Sequence, residues 1–70
     1  MPNMVLVRSE VITYITANAG STGQEILDGL NPQRKNHQVK QAIARELALG
    51  IISEVVSGNG RWYDNEYTIV

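Results

Sequence analysis

Apolar residues recur with helical spacing in three segments of the chain, and the pattern changes after the third segment. The first segment has an apolar residue at every fourth position, which predicts a helix with one buried stripe. These residues are Val7, Val11, Ile15 and Ala19, with Ile12 beside them. Gly20 predicts the end of this helix, because glycine readily adopts the left-handed conformation of a helix stop. Asn3 and Ser9 are alternative caps for its start.

The second helix is predicted to begin at a capping box. In this motif the side chains of Thr22 and Glu25 each accept a hydrogen bond from the backbone amide of the other residue. The apolar side of the helix consists of Ile26, Leu27 and Leu30. Pro32 has no backbone amide and cannot continue the helix, so residues 31–35 are predicted to form a turn.

The third helix is predicted over residues 36–49, with Asn36 as its cap and Gly50 just beyond its end. Its apolar residues fall within a narrow arc and predict the buried side. They are Val39, Ala42, Ile43 and Leu47. The opposite face consists of His37, Lys40, Gln41, Ala44, Arg45 and Ala48.

The pattern then becomes typical of β-structure. Residues 51–56 are rich in β-branched side chains, which predicts a strand. Residues 57–60 contain Asn-Gly, a hairpin signal, so residues 61–70 are predicted to return as a second strand. A two-residue loop at the turn places Ile52 opposite Tyr67 on one side of the hairpin.

Three helices followed by a two-stranded antiparallel hairpin is the order of elements in the winged helix-turn-helix, an α+β fold. In that fold the second and third helices form the helix-turn-helix and the hairpin is the wing. The third helix enters the major groove of DNA. A chain of 70 residues is long enough for one modest core, so we expect a single domain over residues 1–70.

Composition removes several classes of site. The chain has no cysteine and one histidine, which excludes a disulfide, a thiolate zinc site and a multi-imidazole metal site. We therefore expect neither a metal ion nor an organic cofactor. The apolar run at residues 4–7 is too short for the core of a signal peptide, and no segment approaches the roughly 20 apolar residues of a membrane span. These features predict a cytoplasmic protein.

The charge is distributed unevenly along the chain. The net charge is −1, yet four of the six basic residues lie within residues 33–45, where no acidic residue occurs. That segment carries +4 and the rest of the chain −5. Such asymmetry is typical of a localised phosphate-binding face on an acidic protein. The alternative is an ordinary solvated helix face that happens to be basic.

The side chains in and around this segment are of the types that bind DNA. Arg, Lys, Gln and Asn match the donors and acceptors of base edges, and Arg and Lys also pair with phosphates. Small residues at Ala44 and Ala48 would let the helix backbone approach the groove. The predicted DNA-contacting residues are Arg34, Lys35, Asn36, His37, Gln38, Lys40, Gln41, Arg45 and Arg61.

Two of the candidate positions have competing interpretations. His37 can act as a pH switch or a catalytic base, but with no nucleophile or carboxylate near it in sequence a DNA contact is favoured. Trp62, beside Arg61, either joins a contact with the DNA backbone or minor groove, or packs across the hairpin. Asp64 and Glu66 on the same strand repel phosphate, so any contact by the wing is confined to its tip.

With these elements placed, the chain resembles the small winged-helix regulators of bacterial fimbrial operons, the PapI and FaeA type. The resemblance covers residues 10–69. In the recognition helix, Gln38 and Lys40 match the family's Gln-x-Arg pattern, with lysine in place of arginine. The other matching residues are Asn18-Ala19-Gly20, Thr22, Glu25-Ile26, Leu47, Gly50-Ile51, and Gly60-Arg61 before an aromatic strand. The chain departs from the family in a longer turn at residues 31–35 and in a wing with a single arginine, which bears on the strength of unaided DNA binding.

The resemblance implies a specific role. Such regulators control phase-variable fimbrial expression together with the leucine-responsive regulatory protein, at GATC-containing operators whose adenine methylation competes with occupancy. It also implies that Gln38 and Lys40 read the groove and that Arg61 is a wing contact.

Two other classes of function compete with a DNA-binding regulator. A winged helix that binds only protein is the alternative, although such an adaptor has no need for a basic third helix. An enzyme is disfavoured, since a chain of this size has little room for a pocket and carries no catalytic motif. The cations of the basic face and Arg61 neutralise at most about four or five phosphates, so weak, salt-sensitive DNA binding is expected.

Overall fold

The computed structural model describes residues 4–70. The protein is a small α+β structure with three helices and a three-stranded antiparallel sheet of order β1-β3-β2. The elements in chain order are α1 (Met4–Ala17), β1 (Ser21–Thr22), α2 (Gly23–Leu30), α3 (Asn36–Ala48), β2 (Ile52–Val55) and β3 (Glu66–Ile69). None of the helices in this part of the chain combines the length and the apolar character needed to cross a membrane.

The helices bury the apolar stripes that the spacing predicts. On α1, Val7, Val11 and Ile15 are fully buried, whereas Ala19 lies beyond the end of the helix and is exposed. The rest of the core comes from Ile26 of α2, the apolar side of α3, Ile52 of β2 and Tyr67 of β3. Gly20, with φ +83°, follows α1 in the left-handed region, as predicted.

The ends of the helices are partly as predicted. The capping box of α2 is present, with Thr22 Oγ1 accepting from the Glu25 amide at 3.1 Å and Glu25 Oε1 accepting from the Thr22 amide at 2.8 Å. The predicted cap at Ser9 is wrong, because α1 runs through this residue, and Asn3 lies outside the described residues. α3 ends at Ala48, one residue earlier than predicted, followed by Leu49 and Gly50.

The cap of α3 also differs from the prediction. Asn36 is the first residue of the helix, and Lys35 occupies the cap position. The Lys35 side chain cannot accept a hydrogen bond, but the Gln38 side-chain oxygen accepts from the Lys35 backbone amide at 2.7 Å. Half of a capping box therefore stabilises this helix start.

The sheet differs from the predicted two-stranded hairpin. A third strand, β1, pairs with β3, with Ser21 opposite Tyr67. On the other side of β3, Ile52 pairs with Ile69 and Glu54 with Tyr67, so the predicted pairing of Ile52 with Tyr67 is wrong. The reason is that β3 begins only at Glu66 and residues 56–65 form a long loop.

This β2–β3 loop (residues 56–65) is held in shape by hydrogen bonds within it. A turn does form at the predicted signal, since the Gly60 amide donates to the Ser57 carbonyl at 3.0 Å, but it lies within the loop and does not close a hairpin. The buried Asn65 side chain accepts from the Ser57 amide at 3.0 Å and donates to the Gly60 carbonyl at 3.4 Å. These contacts take the place of the regular hairpin pairing predicted for this part of the chain.

Candidate nucleic-acid interface

The outer face of α3 is exposed along the whole helix. All six residues predicted for it are exposed. Of the residues predicted for the opposite side, Val39, Ala42 and Ile43 are buried and Leu47 is half-buried. Lys35 and Asn36, at the start of the helix, are exposed as well. The helix is therefore phased as the sequence predicts. We use the term α3 basic face for Lys35, Asn36, His37, Lys40, Gln41, Ala44, Arg45 and Ala48.

The cations of the α3 basic face have no carboxylate partner. Within residues 4–70, the ion pairs join Arg8 to Glu46 and Arg34 to Glu10. Lys35, Lys40 and Arg45 take part in neither, so three positive charges point to solvent from one helix and the residue before it. A phosphate group approaching this face meets attraction without a competing negative charge.

The one acidic residue of α3 is hidden from its outer face. The Glu46 side chain is fully buried and accepts a hydrogen bond from Nε of Arg8 on α1. The sequence analysis missed this arrangement, although a signal existed. Glu46 follows Ala42 by four residues and Ile43 by three, which places it on the buried side of the helix. Burial of Glu46 is what leaves the α3 basic face free of carboxylates.

Arg34 does not contribute a free charge to this surface. Its Nε lies 2.5 Å from Glu10 Oε1 on α1, and its side chain is only 19% exposed. The turn at residues 31–35 is therefore tied to α1 by this ion pair. The prediction that Arg34 contacts DNA does not fit this placement, because the charge is neutralised within the chain.

Gln38 is also withdrawn from the surface. Its side chain is buried, and its amide oxygen is engaged with the backbone of Lys35. Reading a base edge would require this side chain to leave the cap, which would leave the Lys35 amide without its acceptor. The groove-reading role that the family resemblance implied for Gln38 is inconsistent with this geometry, whereas Lys40 remains exposed.

Arg61 projects from the β2–β3 loop. It is exposed, and its Nη1 donates to the Tyr63 hydroxyl at 2.6 Å. The guanidinium also lies 5.9 Å from the centre of the Tyr63 ring, a cation–π distance. This hydrogen bond is the main reason why the pKa of Arg61 is raised, so the side chain stays charged. Trp62 is half-buried against the core, which favours the packing interpretation, although it lies outside the strands.

The β2–β3 loop is fastened to the start of α2. The amides of Gly23 and Gln24 donate to the carbonyls of Asn65 and Tyr63, at 3.1 and 3.0 Å. A Cβ at Gly23 would lie 2.4 Å from the Trp62 carbonyl oxygen, so only glycine permits this approach. Because the loop occupies these helical amides, the start of α2 does not offer them to a phosphate group.

The buried side chain of Tyr67 contacts the β2–β3 loop. Its hydroxyl donates to Glu54 Oε2 at 2.8 Å and lies 3.0 Å from the Trp62 carbonyl oxygen. Burial, followed by the hydrogen bond to Glu54, holds the pKa of Tyr67 above its ordinary value. Arg61 therefore lies on a loop that is held in place by hydrogen bonds.

Over residues 4–70, no three His, Asp or Glu side chains come together as metal ligands.

Comparison with known proteins identified no relative of this chain. A scan against models of known protein families, a search of curated proteins and a search of solved structures each gave no match to the chain. The resemblance to fimbrial-operon regulators therefore stays a prediction, and the functional argument rests on the α3 basic face and its surroundings.

Proposed function

We propose that this protein is a non-enzymatic DNA-binding transcription regulator that reads the major groove with α3. The observation that carries the proposal is the α3 basic face, an exposed helix surface with three unpaired cations and no carboxylate. An adaptor that binds only protein has no physical need for such a surface.

The fold supports this proposal when it is interpreted as a winged helix. α2, the turn and α3 correspond to the helix-turn-helix, and the sheet with the β2–β3 loop corresponds to the wing. In this interpretation β1 fastens the wing to the end of α1 by pairing with β3. The recognition helix is the one whose outer face carries the free cations.

The side chains of α3 suggest a division of roles. Gln41 and Arg45 can present donors and acceptors to base edges, while Lys35 and Lys40 pair with phosphates. Ala44 is exposed between them, and its small side chain allows the helix backbone close to the groove. Asn36 and His37, at the start of the helix, add polar contacts of either kind.

The number of free cations limits the affinity of one chain. With Arg34 neutralised, Lys35, Lys40, Arg45 and Arg61 can offset at most about four phosphates. A module of this size covers about 600–1,000 Å² of protein surface on DNA. We therefore propose that useful affinity requires a second DNA-bound protein on the same site, since two weak contacts on one duplex reinforce each other. By resemblance to fimbrial-operon regulators, we propose a fimbrial operon as the target and the leucine-responsive regulatory protein as the second protein.

A duplex titration with charge-matched variants tests the proposal. Fluorescence anisotropy is measured with a labelled duplex from the region upstream of the gene, at low salt. The double variant Lys40→Ala/Arg45→Ala loses two positive charges from the α3 basic face. The control, Thr16→Glu/Thr68→Glu, gains two negative charges at exposed positions of α1 and β3, so both variants have the same net charge.

We expect the Lys40→Ala/Arg45→Ala variant to bind about 25-fold more weakly than the wild type, from two lost phosphate contacts. The control should lose less than about 3-fold, because its added charges lie away from the interface and are screened. Equal losses in the two variants would show that net charge alone governs binding. Absence of binding by the wild type to any duplex would favour the protein adaptor instead.

A further inference from the structure

The only cation of the β2–β3 loop has a side chain that is held in place by an aromatic neighbour. Arg61 donates from Nη1 to the Tyr63 hydroxyl at 2.6 Å, and its guanidinium lies 5.9 Å from the centre of the Tyr63 ring. The sequence suggested Trp62 as the aromatic residue that joins Arg61 in a DNA contact. In the structure the residue that contacts the guanidinium is Tyr63, which is not among the residues predicted to contact DNA.

The backbone on both sides of this contact is fixed. The Arg61 carbonyl accepts from the amides of Asp64 and Asn65, at 2.9 and 3.1 Å, which closes a tight turn. The Tyr63 carbonyl accepts from the Gln24 amide at the start of α2, at 3.0 Å. The two side chains therefore extend from backbone positions that are tied to a turn and to a helix.

The Tyr63 ring is held as well. It packs edge-to-face against Trp62, with the ring centres 6.0 Å apart and an angle of 78° between the ring planes, a favourable arrangement for two aromatic side chains. Trp62 is in turn half-buried against the hydrophobic core. The contacts thus run from the core through Trp62 and Tyr63 to the exposed guanidinium of Arg61.

The hydrogen bond to Tyr63 leaves most of the guanidinium available to a ligand. Arginine has five N–H donors in a rigid plane, and the Tyr63 hydroxyl engages one of them. Within residues 4–70 Arg61 forms no ion pair, not even with Asp64, three residues later. The remaining donors match the oxygens of a phosphate group, which arginine binds with two parallel hydrogen bonds. A side chain that is ordered beforehand also loses less conformational entropy on binding.

We propose that Tyr63 is a positioning residue that holds Arg61 ready to bind a phosphate of the DNA backbone. The inference rests on the function proposed above and gives Arg61 a supporting residue of its own, separate from the α3 basic face. While the bond to Tyr63 is kept, the guanidinium stays at the surface of the loop and does not extend far into a groove. This placement favours a phosphate over a base edge.

Two measurements on the same set of variants test this role. Anisotropy titration with the labelled duplex compares the wild type with Tyr63→Phe, which removes the hydroxyl and keeps the ring, with Arg61→Ala and with the double variant. The control is Tyr14→Phe, the same change at a tyrosine of α1. NMR relaxation of the Arg61 Nε–H group, without DNA, measures how firmly the side chain is held. Circular dichroism verifies that each variant is folded.

We expect Tyr63→Phe to bind DNA about 3-fold more weakly, because Arg61 must then be ordered during binding. Arg61→Ala should bind about 5-fold more weakly, from one lost phosphate contact. The double variant should bind no more weakly than Arg61→Ala, since Tyr63 acts only through Arg61. The Arg61 Nε–H group should become more mobile in Tyr63→Phe and stay unchanged in Tyr14→Phe, whose DNA affinity should equal that of the wild type.

A loss from Tyr63→Phe that persists in the Arg61→Ala background would overturn the proposal, because Tyr63 would then act through the fold or by a contact of its own. So would a Tyr63→Phe variant that binds like the wild type, or one whose Arg61 side chain is no more mobile. Lys40→Ala/Arg45→Ala, titrated alongside, separates the two claims. If that variant loses affinity and Arg61→Ala does not, the function proposed for α3 stands and this inference fails. A wild type that binds no duplex would overturn both.

Discussion

α1 and α3 pack against each other and share one core, yet their outer faces have opposite character. Both helices bury a stripe of aliphatic residues, and both contribute one member of the pair Arg8–Glu46. The outer face of α1 carries hydroxyls and apolar groups, whereas that of α3 carries cations. The difference does not arise from the number of charged residues alone. The two outer faces differ because ion pairs within the chain neutralise the charges of α1 and bury the carboxylate of α3.

The ion pairs sort the charges of the two helices between interior and surface. Glu46, the only acidic residue of α3, is buried in an ion pair with Arg8, so the α3 basic face has no carboxylate. Glu10 forms an ion pair with Arg34, which neutralises one charge of α1 and one charge of the turn before α3. One helix thus presents unpaired cations to solvent, and the other presents hydroxyl and apolar groups.

The largest expected effect on stability comes from breaking the Arg8–Glu46 ion pair between the two helices. Arg8→Met leaves Glu46 buried without its cation, and we expect a loss of about 3 kcal/mol in the free energy of unfolding. The double variant Arg8→Met/Glu46→Met removes the charge from both sides and should recover most of this loss. Urea unfolding of the wild type, both single variants and the double variant measures the coupling. Additive losses would mean that the two charges do not interact.

A smaller effect is expected from Gln38, whose substitution distinguishes a role in building α3 from the DNA contact first predicted for it. Gln38→Ala removes the acceptor of the Lys35 amide and should cost about 1 kcal/mol of stability, the usual value of a helix cap. DNA affinity of the folded variant should stay within about 2-fold of the wild type, since no base contact is lost. A large loss of affinity with unchanged stability would restore Gln38 as a groove reader.

The smallest effects on stability are expected on the α3 basic face itself. Lys40→Ala and Arg45→Ala truncate exposed side chains without ion-pair partners and should each change stability by less than about 0.5 kcal/mol. Each should nevertheless weaken DNA binding about 5-fold. Thermal unfolding and anisotropy titration of the same samples check both values. A marked loss of stability would show that the side chain packs against the core.

Local patterns in the sequence predict the helices and their phase well. Four-residue spacing gives the buried stripe of α1 at Val7, Val11 and Ile15, and the capping box of α2 involves only neighbouring residues. The exposure of Lys40 and Arg45 follows from the same periodicity. These features depend on interactions within one or two helical turns, which a single sequence contains.

Features that depend on distant parts of the chain could not be predicted in this way. The hairpin signal at residues 57–60 does produce a turn, but Asn65 and the contact of Trp62 with Gly23 shape the loop, and β1 joins the sheet from far earlier in the chain. The withdrawal of Arg34 depends on Glu10, 24 residues away. Candidate residues chosen by type and segment therefore included one side chain that is neutralised and another, Gln38, that caps a helix.

The salt dependence of DNA binding tests the central claim, that the unpaired cations of α3 form the interface. The observed binding constant of the wild type is measured by anisotropy across a range of salt concentrations, alongside Lys40→Ala and Arg45→Ala. Three to four neutralised phosphates predict a slope of log K against log salt of about −3, and each variant should reduce its magnitude by about 0.9. Slopes that are unchanged in both variants would contradict the account, because DNA binding would then not involve these charges.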